Sequence, residues 1–163
     1  MPGRSRRLAL VALLIVLATG VALATPVPVV LVGHGSRSLL ARLDDGEALT
    51  YSYRQSIYDV PVYQDFVRAG DRIELRQVRS PDIRSVEYFR WDGDIVQDAQ
   101  GLWTQEAPRS EHEELVIRLT ALGQQRMTTP RWTLDLLAEF GDAVVTLRVD
   151  RLPRALVIAR GTR

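Results

Sequence analysis

From Leu49 onward, apolar and polar side chains alternate with a period of two, and no other feature constrains the fold of this chain as strongly. A strand sends successive side chains to opposite faces, so this period suits a sheet with one face on a core and the other in water. Leu49, Tyr51 and Tyr53 fall on one face, with Thr50, Ser52, Arg54 and Ser56 on the other. In RIELRQV the inward set is Ile73 and Leu75; in ELVIRLTAL it is Leu115, Ile117, Leu119 and Ala121; in AVVTLRVD it is Val145, Leu147 and Val149. Sheets with one wet face are antiparallel.

Turn residues separate these runs: Asp44-Asp45-Gly46, Ala69-Gly70-Asp71, Trp91-Asp92-Gly93-Asp94 and Gly141-Asp142. Glycine supplies positive φ and aspartate bonds its own backbone, so such clusters reverse the chain at low cost. The long crossovers of a parallel sheet are missing. The expected fold is mainly β, an antiparallel β-sandwich or partly open barrel. One segment, TTPRWTLDLLAEFGD, breaks the period: its proline, its helical spacing of Leu134, Leu137 and Ala138, and Gly141 as a cap predict a short helix near 133–140. Trp132, Leu134, Leu136 and Phe140 also fit one face of a strand.

Before the sheet comes an N-terminal hydrophobic helix. Residues 8 to 32 are uncharged and follow Arg4, Arg6 and Arg7. About twenty apolar residues cross a bilayer, and arginines stay on the cytoplasmic side. The segment reads as a signal peptide or signal anchor over residues 1–32, followed by a linker and first strand over 33–43 and an exported all-β domain over 44–163. The expected place is the cytoplasmic membrane, crossed once through residues 8–32 with the C-terminal domain periplasmic. The alternative is cleavage after Ala24, since Ala22-Leu23-Ala24 has the small-x-small form that signal peptidase cuts, leaving a soluble exported domain. Ser5-Arg6-Arg7-Leu8-Ala9-Leu10 also resembles a twin-arginine export signal.

Setting aside those three arginines leaves 18 basic against 20 acidic residues, and such a balance argues against nucleic acid, which needs a basic stripe. Without cysteine, disulfide and thiolate chemistry are excluded. Every basic residue is Arg and the chain has no Asn, a pairing that reads as genomic nucleotide composition rather than a site.

Four of the five tyrosines lie in YSYRQSIYDVPVYQDF, residues 51 to 66. Pro61 cannot donate to a ladder, so Tyr58-Asp59-Val60-Pro61 reads as a corner between two strands. Tyr51 and Tyr53 are expected in or near the core, while Tyr58 and Tyr63 are freer to meet a ligand. Arg54, Gln55, Ser56, Tyr58 and Tyr63 form the expected binding surface. Arg54 is the partner for a small acidic ligand, because guanidinium pairs bidentately with carboxylate.

The order Tyr53, Ser56, Pro61, Val62, Phe66, Ile73 and Leu75, with the later LDLLAEFGDAVVTLRV, resembles a bacterial family of small exported proteins of unknown function often encoded beside TRAP-type transporters of the TAXI class. The similarity covers roughly residues 39 to 152. It implies an all-β exported domain near a transporter, and no reaction. That family commonly has His before the Ser and an acid before the Phe region, where this chain has Gln55 and Gln64.

No catalytic, cofactor or metal residues are assigned. Gly33-His34-Gly35-Ser36 reads as a linker, and Glu111-His112-Glu113-Glu114 as a charged turn, because alternation puts His112 opposite Glu111 and Glu113. Asp92 and Asp94 flank a turn glycine, and Trp91 and Trp103 read as core. The expected function is a non-catalytic accessory or binding module linked to a TRAP-type transporter or envelope complex. An envelope hydrolase using Ser36 or Ser56 is one alternative; a structural domain that covers a partner's edge strand is another.

Overall fold

A computed structural model describes residues 3–161, with side chains described from Leu8. The elements are α1 (Gly3–Ala24), β1 (Pro26–His34), β2 (Arg37–Ala41), β3 (Ala48–Gln55), β4 (Val60–Ala69), β5 (Arg72–Ser80), α2 (Ile83–Glu87), β6 (Ile95–Gln97), β7 (Trp103–His112), β8 (Glu114–Arg118), β9 (Arg126–Thr128), β10 (Thr133–Asp135), α3 (Leu136–Phe140), β11 (Val144–Pro153) and α4 (Arg154–Arg160). They make a mainly β fold of two antiparallel sheets, ordered β2-β1-β11-β8 and β10-β9-β3-β4-β5-β7-β6. Neither closes into a barrel.

The inward sets follow the alternation. Leu49, Ile73, Leu119, Val145 and Leu147 are sealed from solvent, and Tyr51, Leu75 and Ile117 are nearly so. Ala121 is the exception: the strand ends at Arg118, the chain turns over 121–123, and Ala121 is exposed. β7 runs into β8 with only Glu113 between them, so one long strand leaves the seven-stranded sheet and enters the other. That shared strand lays the two inner faces over one core.

The apolar run 8–32, expected as one segment, is two elements. The helix stops at Ala24, ahead of Pro26 and Pro28, whose missing N–H groups disfavour helix interiors. Residues 26–34 instead form β1, whose Val29, Val30 and Val32 are buried between β2 and β11. β-branched residues pack well on a pleated surface, so this part of the run enters the core. Among the described residues no helix is long and apolar enough to cross a membrane.

Of residues 33–43, expected as a linker and first strand, 33–36 close the β1–β2 hairpin and Arg37–Ala41 are β2. Gly35 takes φ 57° in the turn, and Leu40, Ala41 and Leu43 are buried. Near 133–140 both periodicities hold in succession. Thr133–Asp135 pair with β9, and the Asp135 carboxylate then accepts from the Ala138 N–H to start α3, which Gly141 ends at φ 70°.

Candidate functional site

The hairpin joining β3 to β4 gathers Arg54, Gln55, Ser56 and Tyr58, as the sequence places them. Asp59 adopts φ 56° to close its turn. Arg54 Nε and Nη2 donate to the two Asp59 carboxylate oxygens at 2.5 and 2.7 Å. The Arg54 hydrogen bond holds the Asp59 carboxyl below its ordinary range. An acidic ligand at Arg54 has to displace this internal carboxylate. Gln55 is buried, its Oε1 without a hydrogen-bond partner among the described residues, and Ser56 is exposed.

Both tyrosines of the corner lie under arginines. Arg84 stands 4.7 Å from the Tyr58 ring centroid while itself bonded to Asp82, and Arg79 stands 5.7 Å from that of Tyr63. Arg79 in turn grips Asp65, which also accepts from Thr50 and Gln77. Burial pushes the Asp65 carboxyl up, but the hydrogen bonds from Arg79, Gln77 and Thr50 outweigh it and hold the group below the usual carboxylate range. No local pattern signals this network, because its members are brought together only by the register of β3, β4 and β5.

An open site lies on the other face of the same strands. Tyr51, Tyr53, Gln64 and Phe66 face β8 around Ile117, with Gln125 at the side, across a cleft of 370 Å³. The Tyr51 and Tyr53 rings stack at 5.5 Å and 27°. Burial pushes both phenols up. Neither hydroxyl has a hydrogen-bond partner among the described residues.

The cleft exists because β8 is an edge strand. Leu119 N–H donates to Ala143 C=O, and amides alternate along an antiparallel strand, so Val116 turns its backbone groups away from β11. Gln125 Nε2 covers the neighbouring Arg118 carbonyl at 3.1 Å. Two tyrosines expected mainly as core therefore line the opening, and β8 as the opposite wall was not foreseen. An odd-numbered inward face rich in tyrosine rather than leucine was the available signal.

His34 Nδ1 lies 2.8 Å from the Val144 carbonyl, in the hairpin rather than beside Ser36. Ser110 Oγ and His112 Nε2 lie 2.6 Å apart on β7, a contact the sequence reading did not single out. Residues i and i+2 of a strand share a face, so it is a local consequence of alternation. Glu111 and Glu113 pair with Arg72 at 3.9 and 3.0 Å. Among the described residues no three His, Cys, Asp or Glu are grouped to hold a metal ion. Trp103 and Trp91 pack around a second small core of Val62, Val78 and Val86.

Fold and cleft together define the class: a two-sheet antiparallel β protein with an open inter-sheet cleft. No family model, curated protein or solved structure matches the chain.

Proposed function

We propose that this chain is a non-catalytic, exported β-domain acting as an accessory or binding module linked to a TRAP-type transporter or another envelope complex, with the Tyr51–Tyr53 cleft as its binding surface. One observation carries the reading: two stacked phenols stand in an open cleft with unpaired hydroxyls. Both hydroxyls reach solvent, so a partner's hydrogen bond there would exchange for one to water and add about 0.5–1.5 kcal/mol. Tyrosine suits such a role, offering a large apolar face and one polar tip.

Export rests on α1 alone. Its apolar side chains from Leu8 to Val21 are exposed, and a helix apolar all round needs a lipid or protein environment. It ends at Ala22-Leu23-Ala24, so cleavage there leaves β1 intact from Pro26. N-terminal sequencing of the protein recovered from the envelope should begin at Thr25; a start ahead of Arg4 returns the anchored reading.

The test of the module is affinity capture from envelope membranes with wild type and Tyr53→Ala, each checked for a cooperative melt. Wild type should retain a TRAP-type transporter subunit and the variant should lose it. Identical retention by both removes the cleft from the reading, and absence of any transporter subunit removes the transporter.

The Ser110–His112 contact favours a second reading, an envelope hydrolase with Ser110 rather than Ser36 or Ser56 as nucleophile. A fluorophosphonate probe that labels wild type but not Ser110→Ala would establish it.

A further inference from the structure

A separate pair of cavities, 470 and 580 Å³, is lined by the β1–β2 hairpin and by Arg160 at the end of α4. They adjoin through Ser36, Arg37, Ser38 and Arg160, which line both. The larger is completed by Leu39, Leu40 and Gly161 and contains no acidic residue. The smaller runs on across the sheet to Asp150 and Glu114. There the charges balance locally, since Arg148 lies 3.6 Å from Asp150 and opposite Glu114 in register.

At the shared end the charges do not balance. The Arg160 side chain has no ion pair or hydrogen bond among the described residues. Arg37 reaches Glu139 only at 3.4 Å, with its guanidinium 5.6 Å from the Phe140 ring centroid. Neither the Ser36 nor the Ser38 hydroxyl has a hydrogen-bond partner among the described residues. Two guanidinium groups beside one groove repel each other unless an anion lies between them. Each offers a planar fork of N–H donors, and the two serines add hydroxyl donors. So many donors exceed what the two oxygens of a carboxylate accept and suit the several oxygens of a phosphate.

We propose that this groove is an oxyanion site, holding the phosphate group of a monoester or diester between Arg37 and Arg160, with any apolar remainder against Leu39. The same chemistry is found in a soluble phosphate ester and in an anionic lipid headgroup. The site is independent of the tyrosine cleft.

The experiment uses the full chain in detergent, as wild type, Arg37→Ala, Arg160→Ala, and Arg109→Ala, an exposed arginine outside both cavities, as the charge-matched control. Inorganic phosphate and sn-glycerol 3-phosphate are titrated by calorimetry. A parallel arm measures flotation on phosphatidylcholine vesicles with and without phosphatidylglycerol. Wild type should bind a phosphate probe or favour the phosphatidylglycerol vesicles, and Arg37→Ala and Arg160→Ala should each weaken that binding at least ~10-fold, as loss of one charge-assisted contact requires. Arg109→Ala should bind as wild type, and Arg160→Lys should retain part of the affinity. Binding of the soluble probes identifies a soluble ester; preference for phosphatidylglycerol alone identifies a headgroup. Absence of both, or an Arg37→Ala and Arg160→Ala pair that binds like wild type while melting cooperatively, overturns the proposal.

Discussion

Arg79 holds Asp65 across the β4–β5 pair with two hydrogen bonds, Nε at 2.6 Å and Nη2 at 3.1 Å. The Asp65 side chain is 14% exposed, so this pair is largely withdrawn from water. Asp65→Ala strands the guanidinium and should cost about 2 kcal/mol in denaturant unfolding, within the range for a lost charge-assisted bond. The sign of the pH effect follows from the lowered folded pKa. Stability from Asp65 is complete above the unfolded value of about 3.9 and is lost as pH falls through the lower folded value. Asp65→Ala should therefore flatten the acid limb of a stability–pH curve; an unchanged limb removes the assignment.

The phenols of the cleft act at the opposite end of the scale. Burial keeps Tyr51 neutral in the folded protein after an unfolded phenol has begun to ionise. Its contribution is present below pH ~10 and declines as pH rises above that value. Tyr51→Phe should flatten the alkaline limb of the same curve. Because its hydroxyl reaches solvent and has no partner among the described residues, Tyr53→Phe should change stability by less than about 0.5 kcal/mol, whereas Tyr53→Ala should cost about 3 kcal/mol through lost packing.

The Arg54–Asp59 pair is exposed, so Arg54→Ala should leave the melting midpoint unchanged. Asp59 matters for its backbone instead. At φ 56° a β-branched side chain is strained and glycine is not, so Asp59→Val should lower the midpoint while Asp59→Gly does not. A midpoint that falls with Arg54→Ala would show that the ion pair, not the turn, holds the hairpin.

Truncation separates α1 from β1. A chain starting at Thr25 should still unfold cooperatively, because α1 contributes no buried side chain from Leu8 onward. A chain starting at Gly35 should not fold, since it lacks the strand that joins β2 to β11 and carries Val29, Val30 and Val32. Cooperative unfolding of the shorter chain would contradict the place of β1 in the core.

Local pattern alone was enough to set the β class, the antiparallel pairing, and most of the inward faces, including Leu49, Ile73, Ile117 and Val145. Side chains of a strand alternate whatever the strand pairs with, so that information is written residue by residue. The hairpin holding Arg54, Gln55, Ser56 and Tyr58 was legible for the same reason, being a contact between chain neighbours. The fate of residues 26–34 was not: an uncharged valine-rich run looks alike to a bilayer and to a core, and only pairing with β2 and β11 decides between them. Nor was the Asp65 network, or the gap left between β8 and the tyrosines of β3. Those depend on register and on where two sheets fail to close, and distance between strands far apart in sequence has no local signature.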